Sequence, residues 1–292
     1  MVKCKLTVKG GISIYHSITF GTKNTWDDWH LVPTSRPVVN PPAQKVKTLE
    51  IPGGDGLIDL STSLTGYPVY QNRTGSFEFL VMNDYKPWQQ AYTDIMDYLH
   101  GFTMQMVLED DPDYYYTGRF AVNAWKSEQN WSKIVIDYSV GPYKWSKTTS
   151  SSWSASQFDS SAKAGVYDGL FDSSGNRVLD SSSSGIETLS YAGMNVFRNI
   201  SLTTYHKQII LDSAMVSRAP VSPVFTVTST VVDAVQLQFV NPTLGIDITR
   251  KLSRGTTQDA SLLFVGNQGA TIYLWCTSGT GTVTIDFRQG RL

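Results

Sequence analysis

The chain of 292 residues reads as a mainly β protein in two domains. Three observations support this. Apolar residues alternate at period two in many separate runs, such as Phe77-Phe79-Val81 and Val235-Leu237-Phe239, and this puts one face of each run in a core. Only Tyr85–His100 repeats its apolar residues at three and four, as a helix packed on one side does. After Trp145 the composition turns serine-rich, which marks a boundary. The expected architecture is a β-sandwich with one packed α-helix and an extended arm over residues 1–145, followed by a second β-sandwich over 146–292.

Bulk composition narrows the function classes. Hydrophobic residues make up 41% of the chain and charged residues 17%, so it can bury a core and is not disordered. Net charge is −1, with 13 basic and 15 acidic residues before Ser146 and 11 and 10 after it. Neither half carries the basic excess needed to neutralise phosphates, which argues against a sequence-specific nucleic-acid partner. No run approaches 18 apolar residues, so no membrane span is expected, and MVKCKLTVKG lacks the apolar core of a signal peptide. Cys4 and Cys276 each fall on the apolar side of an alternating strand and read as buried reduced thiols rather than a disulfide.

In chain order, Lys3–Val8 and Ile12–Phe20 are strands joined at Gly10-Gly11. A polar segment with two tryptophans, Gly21–Leu31, leads into Pro33–Pro42, whose spaced prolines suit an arm or long loop and no central strand. Within Leu49–Arg73, Ile51-Pro52-Gly53-Gly54-Asp55-Gly56 must turn sharply, and Leu57, Ile58 and Leu60 follow. The helix starts at Asp84 with Pro87 in its first turn and stops at Gly101, and His100 serves as a capping or packing residue. Met104–Leu108 and Gly118–Trp125 flank the acidic turn Glu109-Asp110-Asp111-Pro112-Asp113, which lacks the spacing of a calcium loop. Ile134-Ile136-Tyr138 forms another strand. Beyond the serine-rich stretches 146–161 and 172–184, strands recur at Ile186–Tyr191, Val196–Thr203 and Lys207–Leu211. From Ala219 onward they follow at the turn spacing of a sandwich.

Several of these motifs together resemble the distal tail protein family of long-tailed (siphophage) bacteriophages. They are the Ile-Pro-Gly-Gly-Asp-Gly turn, Asn72-Arg73 before the next strand, the helix ending in His100-Gly101, Tyr114-Tyr115-Tyr116 with Gly118-Arg119, Gly141-Pro142-Tyr143-Lys144, and the closing strand Gly281–Arg288. Gly141 stands where the family usually has aspartate, and residues 146–218 match little of the pattern. The resemblance implies a galectin-like second domain and a hexameric ring, a homo-oligomer joining the tail tube to the tail-tip hub or tail-associated lysin. Receptor-binding proteins attach to such rings in some phages. The implied location is the virion tail tip, assembled in the host cytoplasm.

No catalytic site is expected. The four histidines are isolated, and the chain has no zinc-binding spacing, nucleophile elbow or phosphate loop; neither a metal nor a cofactor is foreseen. For ring contacts the candidates are Trp26, Trp29 and Arg36 in the arm and Asp55 and Arg73 in the signature stretch, because Trp and Arg are enriched where interfaces bury surface. For both tryptophans, packing within their own domain is the competing expectation. The rival function is a carbohydrate-binding module of a tail or baseplate, with Tyr273 and Trp275 on the outer face of one strand as sugar-stacking candidates. A contractile-tail or bacteriocin-like machine built on the same ring fold is a third reading.

Overall fold

The computed structural model describes residues 16–81, 87–127, 132–153, 196–211, 217–265 and 269–292, with only the backbone of 170–171, 177–178 and 186–188. Lys3–Val8, the Gly10-Gly11 turn, Cys4, Asp84 and most of the serine-rich stretches lie outside the described residues. The chain divides into two compact units, Met1–Trp145 with Leu292, and Ser146–Arg291. The fold is mainly β, and among the described residues there is one α-helix.

The first unit contains β1 (Ile18–Phe20), β2 (Lys23–Asn24), β3 (Leu31–Pro33), β4 (Thr48–Glu50), β5 (Leu57–Asp59), β6 (Arg73–Val81), α1 (Trp88–Leu99), β7 (Thr103–Leu108), β8 (Tyr114–Ser127) and β9 (Ser132–Val140). A curled antiparallel sheet runs in the order β2-β1-β7-β8-β9-β6-β3. Alternation fixes its register: in β9 every second residue is buried, and Ile134, Ile136 and Tyr138 lie opposite Phe79, Phe77 and Gly75 of β6. Ala91, Ile95 and Leu99 bury one stripe of α1, four residues apart. The helix starts later than its periodicity suggests, at Trp88. Pro87 occupies the N-cap without a side-chain cap, and its carbonyl accepts the amides of Gln90 and Ala91. At the other end His100 Nδ1 accepts the Val122 amide at 3.1 Å, which ties the helix to β8.

β10 (Lys144–Thr149) spans the boundary and leads the chain into the second unit. Next come β11 (Leu170–Phe171), β12 (Arg177–Val178), β13 (Ile186–Thr188), β14 (Ile200–Leu202), β15 (His206–Leu211) and β16 (Val224–Ser229). They are followed by β17 (Val235–Asn241), β18 (Ile246–Leu252), β19 (Gly255–Gln258), β20 (Ala270–Cys276), β21 (Gly281–Asp286) and β22 (Arg288–Arg291). A five-stranded sheet, β13-β15-β20-β17-β18, faces a four-stranded one, β14-β21-β16-β19, across one core. Phe197, Phe225, Phe239, Phe264 and Phe287 fill that core, and Phe287 meets Phe197 and Phe264 edge-on at 5.2 and 5.4 Å. This is a β-sandwich. Cys276 is a free, buried thiol, and burial pushes its pKa up.

Ser146–Ser152, which composition marks as a loose boundary, is ordered. Ser150 is fully buried: its hydroxyl donates to the Ile285 carbonyl and accepts the Phe287 amide, both at 2.9 Å. Small hydroxyl side chains here complete backbone hydrogen bonding, a role that composition alone does not separate from that of a loop.

Candidate assembly surface

The two-tryptophan segment winds back onto its own sheet instead of reaching outward. Asn24 sets the turn, accepting the Trp26 amide on Oδ1 at 2.8 Å and the Asp28 amide on its carbonyl at 3.1 Å. Trp29 is thereby turned into the core. It is 5% exposed, stacked on Phe20 at 6.3 Å and edge-on to Tyr98 at 5.7 Å. Most of the apolar surface of Trp29 is covered within its own unit. Trp26 is half-buried against His30, with ring centroids 5.7 Å apart.

The proline-spaced segment is stitched down along its length. Arg36 is exposed, and its Nε donates to Asp110 Oδ2 at 2.7 Å, while His16 Nδ1 bonds the same carboxylate at 2.9 Å. Partial burial raises the pKa of Asp110, but the hydrogen bonds and charges of Arg36 and His16 outweigh it and hold the carboxyl below its ordinary range. Farther along, the Asn40 amide donates to Tyr138 Oη at 2.9 Å and its Nδ2 to the Thr74 carbonyl at 2.9 Å. Arg73 closes this cluster from beneath. Its Nη1 donates to the Asn40 carbonyl at 3.0 Å, its Nε to the Pro142 carbonyl at 2.8 Å, and its guanidinium sits over the Tyr116 ring.

Arg73 is therefore not a surface residue: it is 5% exposed and, among the described residues, faces no carboxylate and leaves Nη2 without a hydrogen-bond partner. Burial lowers its pKa from the ordinary arginine value. Sequence named Arg73 as an interface candidate because arginine is enriched where interfaces bury surface; within this chain its guanidinium binds three segments together.

Three of the four carboxylates of the acidic turn are also engaged. Glu109 accepts the Ser17 amide at 2.6 Å, Asp110 is held as described, and Asp111 accepts Lys144 Nζ at 2.6 Å. Among the described residues, no group of three or more His, Cys, Asp or Glu could hold a metal ion.

The surface without a partner lies between these anchors. Backbone bonds from Lys45 to Val69 and from Gln71 to Ala43 close the base of a ribbon, beyond which β4 pairs with β5. Ile51–Gly56 makes the turn, with Gly53 and Gly56 at φ of +83° and +77°, where a side chain would be strained. Residues 43–60 are exposed on both sides throughout. In the register Leu49↔Ile58 and Glu50↔Leu57, Leu49, Ile51, Ile58 and Leu60 share one face, while Thr48, Glu50, Leu57 and Asp59 share the other. The apolar face stands open, with Leu49 50% and Ile51 47% exposed. Asp55 is exposed at the tip, and Arg73 is buried below the base; the structure does not bring the two together.

In the second unit, Tyr273 and Trp275 do share the outer face of β20, half-buried, while Ile272, Leu274 and Cys276 face the core. Gln208 Nε2 donates to Tyr273 Oη at 3.1 Å, and the His206 ring lies 4.2 Å from that of Trp275.

No protein-family profile matches the chain, and no curated protein is significantly similar to it in sequence. The fold does match a solved structure: the crystal structure of the Dit protein (gp 19.1) of SPP1, described as a paradigm of the hub adsorption apparatus in phages infecting Gram-positive bacteria. The two agree with a TM-score of 0.51 over 94% of this chain and 99% of that one, at 10% identity. The chain has the Dit fold. At that identity nearly all side chains differ, so the Dit fold accounts for topology and leaves the surface chemistry to this chain's own residues. Among the described residues, no helix is long and apolar enough to cross a membrane.

Proposed function

We propose that this chain is a structural protein of a phage tail tip. In this role it forms a hexameric ring that joins the tail tube to the tail-tip hub and the receptor-binding apparatus. The first unit closes the ring, and the second is a β-sandwich of galectin-like type. The observation that carries this reading is the β4–β5 ribbon. A lone two-stranded hairpin is marginal in water, and this one presents an apolar face that none of the described residues covers. A repeated contact between copies would cover that face, and such contacts close into rings. The Dit fold supports the same role through the SPP1 protein's place in an adsorption hub. The work is assembly, and it calls for no catalytic residue.

The test is light scattering and negative-stain imaging of the full chain and of a Leu49→Ser/Ile58→Ser variant. Six copies of 32.4 kDa make about 194 kDa. The expected result is an open ring at that mass for the parent and a monomer for the variant, with matching melting temperatures because both residues are exposed. A parent chain that stays monomeric alone and also when mixed with tail-tube and hub proteins would overturn the reading. A second reading, a carbohydrate-binding module of a tail or baseplate, is favoured by the pairing of Tyr273 and Trp275 on one outer face.

A further inference from the structure

We propose that the outer face of the five-stranded sheet binds an uncharged oligosaccharide, with a sugar ring on Trp275 and its hydroxyls held by Gln236 and the Tyr273–Gln208 pair. This rests on the carbohydrate-binding reading and adds to it a location and a ligand class. The strand register builds the site in rows. In one row Trp275 lies opposite Gln236, which lies opposite Lys251; in the next, Gln208, Tyr273, Gln238 and Thr249 follow in line across four strands. Residues directly opposed in an antiparallel sheet stand close together on one face, so two aromatic rings and three amides converge there.

A sugar ring offers an apolar C–H face and a rim of hydroxyls, each of which donates and accepts. An aromatic ring covers the first, and a glutamine amide, with both donors and an acceptor, meets the second. The Gln236 amide, directly across from Trp275, has no hydrogen bond to another described residue. The charges at the margin are already engaged: Lys251 Nζ lies 3.3 Å from Asp233, and Asp247 accepts from Gln238 Nε2 at 2.8 Å. Apart from the His206 ring, 4.2 Å from that of Trp275, the centre of the face carries amide and phenol groups without formal charge, which selects against uronic or sulfated sugars. Large aliphatic side chains enter only in the third row, with Ile210 and Val240, so the centre does not offer the dry apolar patch that a protein partner would need.

The full chain is titrated with soluble neutral hexose and N-acetylhexosamine oligomers and with uronic and sulfated oligomers, read by calorimetry and tryptophan fluorescence. The expected result is binding of a neutral oligomer that Trp275→Ala and Gln236→Ala each weaken by about tenfold or more. If Trp275→Ala does not fold, Gln236→Ala and Tyr273→Phe, which keep the core-facing side of their strands intact, decide. Neutral-sugar binding that survives these substitutions, or binding of charged oligomers only, would overturn this site while the carbohydrate reading stands. No binding of any oligomer would overturn both.

Discussion

Arg73 shows how far one buried cation can hold a segment. With two carbonyls and an aromatic face as its partners, the guanidinium fixes Asn40, and through it the chain that leads to the ribbon. Lysine cannot reproduce the planar fork, so Arg73→Lys should destabilise the fold by about 1–3 kcal/mol in urea denaturation. Asp110 supplies a pH signature. Its folded pKa lies below the ordinary value of 3.8, so its contribution is fully present above that value and is lost as pH falls through the depressed one. Melting temperatures followed from pH 6 to pH 2 should fall less for Asp110→Asn than for the parent, since the amide has no such proton to gain. For Trp29 the sequence left packing and interface contact as alternatives; the inward turn depends on Asn24, whose side-chain bonds are local but whose consequence is tertiary.

At the scale of elements, period and punctuation carried most of the information. The strands, the single helix stripe and the Gly53–Gly56 turn follow from alternation, three–four spacing and positive φ. Gly118 was legible only as part of a motif, and its reason is packing: a Cβ there would collide with the Ser139 carbonyl and with Val140 Cα on the neighbouring strand. Gly118→Ala should therefore force β8 from β9 and destabilise the chain by about 1–3 kcal/mol, measurable as a lower denaturation midpoint at unchanged slope. The ribbon is the opposite case. Its residues read as an ordered turn followed by apolar sequence, and in the fold none of the described residues covers the apolar face they form.

For the whole molecule, the amino-acid order by itself determined the β class, the one helix, which face of each strand is apolar, and the glycine-rich turn. Those properties depend on steric limits and periodicities within a few residues of each position. Tertiary structure decided which polar residues are spent internally and which surfaces stay open. Arg73 and three acids of the turn are held by partners some 30 to 90 residues away, as Arg73 is by Asn40 and Glu109 by Ser17. The apolar face of β4–β5 is left open because no part of the described chain returns to cover it. Likewise, the convergence of Trp275, Tyr273 and three glutamines exists only once β15, β20 and β17 are in register. Composition counts such residues, but their partners are set by contacts between distant segments, and those contacts exist only in the folded chain.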